Sequence, residues 1–73
     1  MLAKRYTGVI YVDGTLFTHP NRLMGTADTT RNKVVKQLRD NIRDTFTTDY
    51  IARHTITLRV KDPNTHQVET IKY

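Results

Sequence analysis

Cysteine and serine are both absent from the 73 residues, and glutamate occurs once, at Glu69. Without cysteine there is no disulfide, no thiolate nucleophile and no cysteine-based zinc site. Small secreted domains usually depend on such staples, so the absence predicts a cytoplasmic protein. Without serine no Ser-His-Asp set can form. Glycine occurs only at positions 8, 14 and 25, which excludes a glycine-rich phosphate loop. Long apolar runs are missing too. Nothing approaches the roughly 18 residues of a membrane span, and Met1-Leu2-Ala3-Lys4-Arg5 lacks the apolar core of a signal peptide. The expectation is a soluble protein with no membrane partner.

A chain of this length fits one domain, expected to span residues 1–73. Only 37% of its residues are apolar. Burial therefore exceeds the entropy of ordering by little, leaving a net stability on the order of a few kcal/mol. Twelve lysines and arginines face seven acids, for a net charge of +5. That balance favours a polyanionic partner: nucleic acid, an acidic protein surface or an anionic lipid face.

The strongest local signal is Asp13-Gly14, whose residue types supply the positive φ of a two-residue hairpin turn. With that turn Val12 faces Thr15, Tyr11 faces Leu16 and Ile10 faces Phe17. One face of the hairpin then carries Tyr6, Ile10, Val12 and Phe17; the other carries Val9, Tyr11 and Leu16. A hairpin covered on one side alternates more cleanly than this. Val9, Tyr11 and Leu16 are therefore expected to lie in an interface, such as a homodimer contact, or beneath the loop at residues 18–28. Pro20, Gly25 and the sparse periodicity mark that loop, with Leu23 and Met24 expected to pin it to the core.

Residues 30–47 read as a helix. Val34, Leu38, Ile42 and Phe46 recur every four residues, and Asp28, Thr29 and Thr30 offer capping side chains. Tyr50 and Ile51 are expected to fold back onto the core. Residues 54–61 alternate Ile56, Leu58 and Val60 against Thr55, Thr57 and Arg59. Asp62-Pro63-Asn64-Thr65 predicts a type I turn before a returning strand at 67–72. With strands at 5–12 and 15–18, the order predicts an α+β fold of ββαββ type: one helix packed on an antiparallel sheet of two hairpins.

Chemistry-bearing motifs are few. Asp13-Gly14-Thr15-Leu16 is similar, over about four residues, to the Asp-x-Asp-Gly-Thr signature of haloacid-dehalogenase-type phosphatases. That chemistry needs a carboxylate nucleophile two places before the second aspartate, and Tyr11 stands there. The motif is read as a turn. His19, His54 and His66 lack a close metal-ligand spacing, and the aspartates fall mostly at turns and caps. Neither an enzyme nor a cofactor is expected.

What remains is basic surface. On the helix, Lys36, Arg39 and Arg43 form one row with Asn32. On the second hairpin, Arg59 and Lys61 share a face with Thr57, and Lys72 is placed near them. Exposed tyrosines, Tyr6, Tyr11 or Tyr73, are the only candidates for base stacking. The function expected is a non-catalytic module binding nucleic acid, DNA foremost, through Lys36, Arg39, Arg43, Arg59 and Lys61. The alternative is a protein-interaction module, a small regulator or inhibitor of a larger protein. Size and composition suit an accessory protein of a phage or mobile element.

Overall fold

The computed structural model describes residues 4–73; residues 1–3, part of the N-terminal stretch inspected for a leader, lie outside the described residues. The fold is α+β, an antiparallel sheet of five strands carrying one main helix. In chain order the elements are β1 (Tyr6–Val12), β2 (Thr15–Leu16), β3 (Thr26–Asp28), α1 (Arg31–Thr45), α2 (Thr48–Arg53), β4 (Ile56–Lys61) and β5 (Val68–Lys72). No helix among the described residues is long and apolar enough to cross a membrane.

The first hairpin has the register its turn dictates, with Val12 opposite Thr15 and Tyr11 opposite Leu16. Asp13 and Gly14 both take positive φ, as a tight turn of this type requires. The Phe17 N–H still donates to the Ile10 carbonyl. After that the chain leaves the sheet, so β2 is shorter than the expected 15–18. This exposes the far half of the β1 edge, and β3 fills it by pairing Tyr6–Gly8 with Thr26–Asp28. β3 lies within the expected loop, and its three residues are too few to show a period. On its other side β1 pairs with β4 along six residues, and β4 pairs with β5. β1 and β4 are thus the central strands.

Alternation along the strands sends Gly8, Ile10, Ile56, Leu58 and Val60 to one face, where α1 packs. Val34, Leu38 and Ile42 are fully buried against it. Gly8 is the point of closest approach, since a Cβ there would meet side-chain atoms of Leu38 and Val34 at 2.6 Å. Thr30 caps α1, its hydroxyl accepting the Lys33 N–H.

Two expected core positions need correction. Phe46 is only partly buried, because it is the C-cap with extended backbone and has left the helical phase. Its ring packs edge-on against Phe17 instead. Leu23 is 85% exposed while Met24 is buried. Adjacent residues of an extended segment point to opposite sides, and the Met24 side takes the core, where the Asn41 amide donates to its carbonyl.

The sequence pattern does not mark the short α2 as a helix, although Thr47 caps it by accepting the Tyr50 N–H. A stack of rings runs from Phe46 to Tyr50 to His54. His54 Nδ1 stands 2.6 Å from Asp13 Oδ2, and Asp13 Oδ1 accepts the Thr55 N–H. The turn aspartate thus ties the first hairpin to the start of β4, and because His54 caps α2, β4 begins at Ile56 rather than at residue 54.

Three carboxylates are held below their ordinary pKa. Asp13 is held by its hydrogen bond with His54 and then by the Thr55 N–H. Asp28 is held chiefly by the Thr29 N–H, and Glu69 by the Arg31 guanidinium. Each prefers the charged form in the folded state, so its contribution is complete above the unfolded carboxylate pKa of about 4. The contribution is lost as pH falls through the lower folded values. The urea midpoint is therefore expected to fall as pH drops below about 5. It should drop less in Asp13→Asn, which cannot titrate at that position; an identical drop in the variant would remove Asp13 from this account.

Candidate nucleic-acid interface

Because α1 occupies one face of the sheet, the other is left open. The strand registers set its cross-strand rows. Val9 stands beside Arg59 and Thr70, Tyr11 beside Leu16, Thr57 and Lys72, and Thr7 beside Lys61 and Val68. Every charge on these rows is positive: Arg59, Lys61 and Lys72. The nearest acid on the same strands alternates to the opposite side, where Glu69 pairs with Arg31 at 2.5 Å.

Arg59 is the most constrained of the cations. Its guanidinium carbon lies 3.8 Å from the centre of the Tyr11 ring. This is a close cation–π stack between diagonal neighbours on adjacent strands. Its Nε is buried and has no hydrogen-bond partner among the described residues. The stack fixes the guanidinium plane at little further entropic cost, and no carboxylate among the described residues pairs with it. A fixed, unneutralised guanidinium is the group best suited to phosphate. Tyr11, Arg59 and Lys61 with Thr7, Val9 and Val68 line a shallow concavity of about 260 Å³.

The five residues expected to contact nucleic acid fall on opposite sides of the two-layer fold. Arg59 and Lys61 project from the open face; Lys36, Arg39 and Arg43 belong to α1, which covers the other. The helix row is partly engaged already. Arg43 pairs with Asp40 at 2.8 Å, and the Arg39 guanidinium lies over Tyr73, 5.5 Å from its ring centre. Lys36 is exposed. Among the stacking candidates, Tyr6 packs against the core, Tyr73 lies beneath Arg39, and only Tyr11 belongs to the open face.

Val9 and Leu16 also lie on the open face, 37% and 47% exposed. The loop at residues 18–25 runs beside them, with Gly25 close to the Val9 side chain. Together with Leu23 they border an apolar concavity of about 280 Å³. No three histidine, aspartate or glutamate side chains gather into a metal-binding group among the described residues.

The Arg59–Tyr11 pairing is not legible in the sequence, since it depends on the β1–β4 register. Sequence reasoning also misses the Lys4 and Arg5 side chains. Both are exposed and lead into β1 on the Lys61 side. No protein-family model, curated protein or solved structure matches this chain.

Proposed function

We propose that the protein is a non-catalytic module that binds nucleic acid through the open face of its sheet. The observation that carries this reading is the fixed Arg59 guanidinium on Tyr11, on a face whose charges are all positive among the described residues. Arg59, Lys61 and Lys72 neutralise phosphates and release counterions, so binding is sensitive to salt and depends little on sequence. The net charge of +5 adds attraction at long range. Lys36, Arg39 and Arg43 are secondary in this reading, because Asp40 and Asp44 sit among them on the same helix.

The two surfaces are separated by charge removal. Replacing Arg59 and Lys61 with Gln is expected to weaken binding to any sequence. On duplex DNA it should reduce the slope of log affinity against log salt by about 1.8, or roughly 0.9 per contact. Replacing Lys36, Arg39 and Arg43 with Gln should leave most of the slope in place. The opposite pattern would move the interface to the helix.

A second reading is favoured by one observation, the exposed apolar group of Val9, Leu16 and Leu23 bordering the same face. A protein partner with an acidic surface, or a second copy of this chain, would cover these residues. Sedimentation across a range of concentrations distinguishes self-association from a monomer.

A further inference from the structure

Beyond the Arg59 concavity, the open face continues into a second one. Lys4, Arg5 and Thr7 from the start of the chain, with Lys61, Pro63 and His66, line an open depression of about 340 Å³. The turn between β4 and β5 builds its far wall. The Asp62 carboxylate accepts the Asn64 and Thr65 N–H groups, and His66 takes a left-handed backbone conformation. Histidine tolerates that conformation better than most residues. Among the described residues, Lys4, Arg5 and Lys61 have no ion-pair partner and no acid lines the concavity.

The two concavities share Thr7 and Lys61, so they are one continuous surface with two kinds of lining. The first has apolar walls, Val9 and Val68, beside the stacked Tyr11 and Arg59 planes. The second is bordered by cations. A flat ring joined to a phosphate fits such a pair, and this is the repeating unit of a nucleic acid whose bases are unpaired. In a duplex the ring faces are buried in the base stack, which leaves an apolar dish with nothing to receive. Unpaired bases are taken up by aromatic rings and guanidinium planes.

Resting on the nucleic-acid reading above, we propose that the strand bound is single. A base lies in the dish of Val9, Tyr11, Arg59 and Val68, and its neighbouring phosphate lies among Lys4, Arg5, Lys61 and His66. The outer α1 face takes no part.

The test is fluorescence anisotropy of the full chain with three labelled probes: a short oligothymidine, a single-stranded RNA and a DNA duplex, across a range of salt. The single strands are expected to bind about tenfold tighter than the duplex, the scale set by stacking one base. Lys4→Gln with Arg5→Gln should reduce the single-strand salt slope by about 1.4, or roughly 0.7 per contact. Arg59→Lys keeps the charge but gives up the planar stack, so it should erase the preference for single strands while leaving the salt slope nearly unchanged. Equal affinity for strand and duplex would overturn the single-strand assignment while leaving nucleic-acid binding in place. A salt slope unaffected by the Lys4 and Arg5 changes would overturn the phosphate site. No affinity for any of the three probes would overturn this proposal together with the reading on which it rests.

Discussion

Leu38→Ala is expected to destabilise the protein by about 2–5 kcal/mol, enough to unfold most of it at room temperature. Leu38 is fully buried between Val34 and Ile42 on the face of α1 that meets the sheet. Its removal leaves a cavity over Gly8, and that backbone cannot collapse into it without breaking the pairing of β1 with β3 and β4. Urea unfolding followed by circular dichroism checks the value. A change below about 0.5 kcal/mol, the range of ordinary surface substitutions, would mean that α1 does not pack in this phase.

Gly8→Ala should have an effect of similar origin and opposite geometry. The added Cβ would meet Leu38 Cδ1 and Val34 Cγ1 at 2.6 Å, closer than carbon atoms approach. The helix must then shift, or the side chains must leave their rotamers. Overpacking of this kind costs about 1–3 kcal/mol, and valine should cost more. The two substitutions share a contact, which makes their combination informative. Leu38→Ala removes one of the two clashes and leaves the one with Val34 Cγ1, so the double variant should lose less stability than the sum of the single ones. Strict additivity would contradict the close approach of α1 to β1.

The residues that made the fold legible are those whose chemistry acts locally. Asp13-Gly14 sets a turn and the register of the first hairpin. The spacing of Val34, Leu38 and Ile42 sets the face of α1, and the alternation of Ile56, Leu58 and Val60 sets the face of β4. The misses are decided by neighbours distant in sequence. β3 exists because β2 is too short to cover the β1 edge, and no pattern in Thr26–Asp28 carries that information. α2 has a capping threonine, but six residues are too few for a period. Gly8 is an isolated glycine within a strand pattern, a recognised mark of close backbone approach.

The candidate site divides in the same way. Arg59 and Lys61 are legible as basic residues on one strand face. That this face stays open, that Tyr11 fixes Arg59, and that Lys4, Arg5 and His66 extend the basic surface all follow from the pairing of β1 with β4. Val9, Tyr11 and Leu16 share the open face as the hairpin register requires, but Tyr11 is occupied by Arg59 and only Val9 and Leu16 offer apolar surface of their own.

The central claim is that the open sheet face is a nucleic-acid interface. Its most direct test is a titration of the unmodified protein with labelled DNA and RNA at low salt. The account predicts saturable binding that weakens steadily as salt is added, with affinity nearly independent of sequence. No binding at protein concentrations up to about 100 μM, the weak end of ordinary non-specific affinity, would contradict it, and Arg59 on Tyr11 would then be a packing feature of a protein-binding face.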